Sequence, residues 1–369
     1  MFSPGQKVRL RSSARSDTGK VRDNNEDRIF LSANEQIVMA IVADGMGGAV
    51  AGEEASRIAV EQIHEGLIDS GSDFPNGYRE MDEETLAQKM RKAIIDANDS
   101  IVHEAQRHPE LKGMGTTVTM AFIRNTHVVL GHVGDSRAYL IDGSNGEIVQ
   151  ITSDHSFVQA LVTAGHITPE EAEEHPMRNV LYRALGQAHD VEVDIYYEKL
   201  RIGDRMVLCS DGLTLHVKPD EIAQIVLSAE TPEEASQKLV EMANTRGGRD
   251  NVSTIVVKVD RDTSGDTQDL SKVAAQAESF DFDNEDTLIL NRNPYNSSES
   301  TRTPSPQERD SKPQVQNAVQ PPAPIVPDVP VAADPQRITG EAEALIIHTA
   351  NESDSKSIGE GSDPQRHSQ

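Results

Sequence analysis

Residues 36–48 read Gln36-Ile-Val-Met-Ala-Ile-Val-Ala-Asp-Gly-Met-Gly-Gly48. Ile37 to Ala43 is an unbroken apolar run, largely β-branched, of a length that suits a buried strand. It ends on Asp44, so a rigidly held carboxylate faces whatever lies at the strand's mouth. Gly45, Gly47 and Gly48 let the backbone turn sharply and approach a ligand closely. A helix is predicted from near Gly52, with Glu53 and Glu54 in its first turn. On its own an Asp-Gly at a strand end is a turn. The same device recurs downstream, in Met206-Val-Leu-Cys-Ser-Asp-Gly212 and in Val128-Val-Leu-Gly-His-Val-Gly-Asp135.

The 369 residues carry a net charge of −26, which argues against a nucleic-acid surface and permits a cation site. Trp is absent, so the core must be built from Val, Ile, Leu, Ala and Met. Cys209 is the only cysteine, which excludes an intrachain disulfide and a Cys-rich zinc site. Met1 to Lys7 has no apolar signal-peptide region, and no apolar run approaches the roughly 20 residues that span a bilayer. The expectation is a soluble, cytoplasmic protein with no membrane span.

Composition changes near Asp260. Residues 261–369 hold 11 of the 18 prolines and 19 acidic against 9 basic side chains, with few large apolar residues. Such a segment cannot bury enough surface to offset its ordering entropy, so it reads as a disordered acidic tail rich in Pro, Ser and Thr. Two apolar islands interrupt it, Asp286-Thr-Leu-Ile-Leu290 and Glu343-Ala-Leu-Ile-Ile347; each reads as a docking motif or as a chance cluster.

Before Asp260 the pattern is strands, helices, strands, helices, strand. Lys7–Ala14 reads as an edge strand. Arg28–Ser32 and Ile37–Ala43 form a hairpin. Gly52–Leu67 and Asp82–Gln106 have helical period. Thr116–Ile123, His127–Val133, Ala138–Ile141 and Ile148–Ile151 are closely spaced strands, with Asp142-Gly143 and Asn145-Gly146 as hairpin turns. Asp154–Leu185 is a charged helical insert placed as a flap beside a cleft. Val191–Tyr197, Asp204–Ser210 and Val252–Val259 complete the strands, and Pro219–Ser228 and Thr231–Thr245 the helices. The fold class is α+β: a central β-sandwich of two antiparallel sheets flanked by helices, in α-β-β-α layers. Two domains follow, residues 1–260 for the folded part and 261–369 for the tail.

Asp44, Asp135, Asp211 and Asp250 all lie at ends of apolar strands. In one sandwich they can converge at one rim. Crowded carboxylates repel one another unless cations sit between them. Hard ions such as Mg²⁺ or Mn²⁺ take oxygen ligands of this kind, and a pair of them can activate water.

Six blocks in order make the pattern specific: Ser16-Asp17 to Asn25-Glu26-Asp27, Val42-Ala-Asp44-Gly-Met-Gly-Gly48, Gly115-Thr-Thr117, Val133-Gly-Asp135-Ser-Arg137, Ser210-Asp-Gly-Leu213 and Arg249-Asp-Asn-Val252. Over about residues 8–260 the chain resembles the bacterial branch of the type 2C (PPM) metal-dependent Ser/Thr protein phosphatases. The resemblance implies that Asp44 bridges two Mn²⁺ or Mg²⁺ ions, with the Gly45 carbonyl on the second and Asp211 and Asp250 completing the first. Asp135 with Asp211 would hold a third. Arg22 would bind the substrate phosphate. Glu26, Asp27 and Asn251 would stand behind the ligands and orient waters. The implied reaction is direct attack on a phosphoserine or phosphothreonine monoester by a water or hydroxide between the metals. Phosphorylated proteins would be the substrates, in opposition to bacterial Ser/Thr kinases.

Bland readings stand beside these. Cys209 lies inside an apolar strand with no C-x5-R loop, as a buried core thiol does. His155 and His175 flank the flap and read as packing residues. Asp154 reads as a helix cap and Arg137 as structural. Many eukaryotic members of the family that this chain resembles carry His where it has Met46, and a thioether cannot donate a proton, so the general acid is unassigned. A two-metal nuclease conflicts with the acidic charge. A phosphatase-like adaptor that recruits partners through its tail is the alternative function. Thr287 and Thr303-Pro-Ser305-Pro are phosphorylatable, and a phosphothreonine-binding partner for the tail is the corresponding expectation.

Overall fold

Strand β3 (Ile37–Met46) lies in the middle of a sheet, and each residue from Ile37 to Ala43 is at most 1% exposed. Val38, Ala40 and Val42 face a core between two sheets, while Ile37, Met39, Ile41 and Ala43 face a helical layer. A strand buried on both faces reads as a continuous apolar run, which is why the stretch does not alternate. The structure, a computed structural model, describes residues 7–67, 78, 80–262 and 287–291.

The sheet containing β3 has the order β12 (Thr287–Asn291), β2 (Asp27–Ala33), β3, β5 (Val118–Arg124), β6 (His127–Val133), β9 (Asp194–Lys199). The two-residue β4 (Gly115–Thr116) pairs with the far end of β3. The facing sheet has the order β1 (Val8–Asp17), β11 (Val252–Arg261), β10 (Arg205–Cys209), β7 (Arg137–Ile141), β8 (Ile148–Gln150). Pairings are antiparallel except β12 on β2, which is parallel. Helices α1 (Ala49–Leu67) and α2 (Glu83–Arg107) cover the first sheet; α5 (Asp211–Thr214), α6 (Pro219–Ser228) and α7 (Pro232–Thr245) cover the second. The layers are therefore α-β-β-α, as expected. No helix among the described residues is long and apolar enough to cross a membrane.

Local chemistry sets the helix starts. Asp82 caps α2 by accepting from the Thr85 N–H at 2.8 Å, and Thr231 caps α7 with Pro232 behind it. Two details differ from the sequence reading. Helix α1 begins at Ala49 rather than near Gly52, because Gly47 and Gly48 turn the chain at φ 115° and 99°; its first turn then carries no acid. Asp142-Gly143 and Asn145-Gly146 belong to a single loop, closed by the Asp142 N–H on the Glu147 carbonyl at 2.9 Å. The closely spaced strands divide between the two sheets: β5–β6 and β7–β8 are hairpins on opposite sheets, and the chain crosses between them at residues 134–136. The flap region holds α3 (Phe157–Thr163) and α4 (Pro169–Glu174). Most of the predicted tail lies outside the described residues. Its first apolar island does not, because Thr287–Asn291 is strand β12.

Candidate active site

The crossover between sheets gathers the carboxylates. Asp44 lies inside β3, opposite Asp27 on β2. Asp135 sits on the crossover after β6. Asp211 follows β10 and opens α5, and Asp250 precedes β11. Asp44, Asp135, Asp211 and Asp250 line one cavity of about 260 Å³ with Arg22, Glu26, Gly45, Met46 and Asn251. All the expected site residues except Asp27 line it. Asp27 is 1% exposed and lies beneath, accepting a hydrogen bond from the Ser210 hydroxyl at 2.7 Å beside Asp211.

Five carboxylates thus face one guanidinium across this cavity. Burial and mutual repulsion raise the pKa of several of them. Burial foremost, then Asp27, Asp211, Asp135 and Asp250, raises Asp44 well above the usual carboxylate range. Burial and then Asp211 push Asp135 up to about 8, with Arg137 opposing. Burial pushes Asp27 to about 7 against the hydrogen bonds from Ser210 and Ser253. Burial and Asp250 take Asp211 to about 6, moderated by a hydrogen bond with Asp44. Two carboxyl groups bonded to each other mark where their oxygens converge. Such crowding of oxygen donors fits a hard divalent cation, which removes the repulsion.

Gly45 supports the same reading. A Cβ there would lie 2.1 Å from the Gly52 carbonyl oxygen and 2.6 Å from that of Glu26, so only glycine fits. Among the described residues no three His, Cys, Asp or Glu side chains close on one point as a ready cage. Asp250 shows why. Arg22 donates to its Oδ2 at 2.8 Å, and the Asn251 N–H to its Oδ1 at 2.9 Å. Burial lowers the pKa of Arg22, but Asp250, Glu26 and Asp44 outweigh it and raise it overall. The residue expected to grip phosphate therefore holds an expected metal ligand.

Asn251 ties the rim together. Its amide donates to the Thr18 and Asn24 carbonyls, both at 2.9 Å, and its Oδ1 accepts the Glu26 N–H at 2.8 Å. Asn251→Ala would orphan three backbone groups. The expected cost is about 3 kcal/mol, a fall in Tm of roughly 6–12 °C by thermal unfolding.

Arg137 holds Asp154 through Nε at 3.0 Å and Nη2 at 2.7 Å and also bonds the Tyr139 hydroxyl. Asp154 is therefore an ion-pair partner, and the cap of α3 is Ser156. His155 accepts the Gly134 N–H at 3.0 Å and bonds Asp194 at 3.2 Å, which fixes the flap's start beside Asp135. His175 accepts the Met177 N–H and lies outside the cavity. Cys209 is fully buried, with its thiol pushed up to about 12 by burial. Three lining residues had no role in the sequence reading. Thr117 accepts the Asp44 N–H at 3.0 Å, and its place in the Gly115-Thr-Thr117 block was the available signal. Asn179 and Leu181 come from the flap, and no local pattern marks them.

Oxygen donors around one guanidinium line a cavity at the rim of a two-sheet sandwich, an arrangement with the chemistry to hold a small anion beside cations. Residues 19–246 match the protein phosphatase 2C family, and the chain belongs to it. It is 40% identical over 259 residues to the serine/threonine protein phosphatase PstP of Mycobacterium tuberculosis, across 70% of this chain and 47% of PstP. This chain thus spans about half the length of that relative. It is 36% identical over 258 residues to the serine/threonine phosphatase stp of Listeria monocytogenes, across 69% of this chain and 98% of stp. Among solved structures, the catalytic domain of PstP in complex with two manganese ions aligns at a TM-score of 0.57 and 37% identity, covering 69% of this chain and 99% of that one. The S. agalactiae serine/threonine phosphatase aligns at 0.61 and 35%, covering 68% and 99%.

Proposed function

We propose that this chain is a metal-dependent protein phosphatase that hydrolyses phosphoserine and phosphothreonine monoesters. The observation that carries the reading is the cavity in which Asp44, Asp135, Asp211 and Asp250 crowd together beside Arg22. Asp44, Asp211, Asp250 and the Gly45 carbonyl would hold two Mn²⁺ or Mg²⁺ ions, and Asp135 with Asp211 a third. Bound there, the ions supply an acidified water and neutralise charge on the phosphoryl oxygens. This chain's residues do the rest. Asn251 fixes the backbone of Glu26, whose carboxylate orients water at the cavity wall, and Asp27 braces Ser210 behind Asp211. Arg22, about half exposed at the mouth, releases Asp250 and grips two phosphate oxygens. Positioning and charge compensation account for most of the acceleration.

Met46 lines the cavity and cannot give a proton to the leaving seryl oxygen, so no side chain is assigned that step. The substrates are phosphorylated proteins, in a cytoplasmic setting that opposes Ser/Thr kinases. A phosphorylated tail would recruit a phosphothreonine-binding partner. Phosphate release from a phosphothreonine peptide, with Mn²⁺ and with EDTA, tests the reading. Metal-dependent turnover supports it; binding of the peptide without turnover at any metal concentration would replace it with the adaptor role. Arg22→Ala lowers kcat/KM for the peptide about 10- to 100-fold, the worth of a charge-assisted bidentate contact. Arg22→Lys recovers only part of this, since an ammonium lacks the planar fork. Steady-state kinetics on the three proteins checks both statements.

A further inference from the structure

Strand β2 would be the outermost strand of its sheet but for five residues from far along the chain. Ile29, Phe30 and Leu31 are at most 4% exposed, so β2 is packed on both faces and open only along its backbone edge. Thr287–Asn291 lies along that edge in parallel register, Thr287 beside Ile29 and Asn291 beside Ala33. Four consecutive residues of this strand, Thr287-Leu-Ile-Leu290, interrupt a polar and acidic sequence and have strand-forming character. An unpaired edge invites pairing with other chains, and covering it is a common protection.

We propose that the outer edge of β2 is a strand-docking edge whose resident occupant is this chain's own Thr287–Asn291. The length of the connection supports an occupant in cis. Strand β11 ends at Arg261, opposite Val8, and Leu10 donates to the Glu35 carbonyl at the β2–β3 turn. The chain leaves β11 near the Ala33 end of β2 and must return to Ile29, a distance of roughly 15–20 Å. Residues 262–286 reach up to about 80 Å when extended, so they span it with slack. A tether of this kind keeps the strand at high effective concentration without fixing it. Five residues in parallel pairing form a weak ladder, so the occupant is exchangeable. The edge also leads to the cavity: Thr287 docks two rows from Asp27, the first residue of β2.

Hydrogen–deuterium exchange on the full chain tests this without reference to turnover, so its failure would leave the phosphatase reading intact. The comparison is wild type against the double variant Leu288→Pro/Ile289→Pro. Successive residues of a strand present their N–H groups to opposite sides, so one of the two prolines removes a donor facing β2. The expected result is exchange at least ~10-fold faster at the β2 amides that point away from β3, with β9, the opposite edge, unchanged. Equal exchange at β2 in the two proteins would overturn the proposal, as would equal loosening of β2 and β9. Wild-type protection that disappears on tenfold dilution would overturn occupancy in cis and assign the strand to a second copy.

Discussion

Asp44→Asn abolishes metal-dependent turnover and at the same time makes the metal-free protein more stable. Asp44 is crowded by like charges: after burial, Asp27, Asp211, Asp135 and Asp250 all raise its pKa. An Asn side chain occupies the same volume, and its amide can donate to Asp211 where the carboxyl now shares a hydrogen bond. At pH 8 the variant removes one uncompensated acid from the cluster. We expect a gain of about 1–3 kcal/mol in the EDTA-treated protein, seen as a higher urea midpoint. Activity moves the other way. Asp44 is one of the residues that would hold the ions, and the several kcal/mol that a metal ion contributes to the transition state correspond to a loss of at least ~10³-fold in kcat/KM. A variant that loses both stability and turnover would identify Asp44 as a packing residue instead. One that keeps turnover at limiting Mn²⁺ would remove the metal assignment. Function and stability would be opposed at this position, because the proposed ions offset a repulsion that the folding chain alone does not.

The gathering of the carboxylates was only partly legible in the sequence. The apolar run Ile37–Ala43 reports a strand buried on both faces, and the repeated strand-then-Asp device marked Asp44, Asp135 and Asp211 in advance. Sequence periodicity could not show that β6 and β7 belong to opposite sheets, because both are short apolar strands. That crossover is what places Asp135 among the others. The partner of Asp154 was hidden for a similar reason. An acid three residues before a helix resembles a cap, and only the fold brings Arg137 to it. Asn179 and Leu181 reach the cavity through the path of the flap, which depends on tertiary contacts such as the Phe157 N–H to the Val180 carbonyl at 2.7 Å. The island Thr287–Leu290 was visible as apolar, but its match to the edge of β2 lies more than 250 residues away in sequence.

Between pH 6.5 and about 8 the metal-free protein loses stability as pH rises, and Mn²⁺ cancels the loss. Two buried carboxyls, Asp27 at about 7 and Asp135 at about 8, titrate in this window when folded, and burial with the neighbouring acids raises a third, Asp44, well above the usual carboxylate range. In the unfolded chain all three ionise near pH 3.9. The folded protein therefore holds more protons than the unfolded one, and its stability must fall with increasing pH. Groups shifted the other way do not interfere here. Burial lowers His132 to about 3 and also lowers His155, but these residues matter only below the unfolded histidine value near 6.5. Glu221, drawn down to about 2 by Arg246, contributes a stability that is complete above pH 5 and lost only on acidification. Metal ions compete with the protons for the same oxygens, so binding at pH 6.5 releases protons and at pH 8.5 fewer. Thermal scans with EDTA should slope downward over this interval, and scans with saturating Mn²⁺ should stay level. The metal-induced rise in Tm then widens with pH. Calorimetric titrations in two buffers of different ionisation enthalpy count the protons. A Tm increment that does not vary with pH would mean that Mn²⁺ stabilises the protein elsewhere than at the crowded carboxylates.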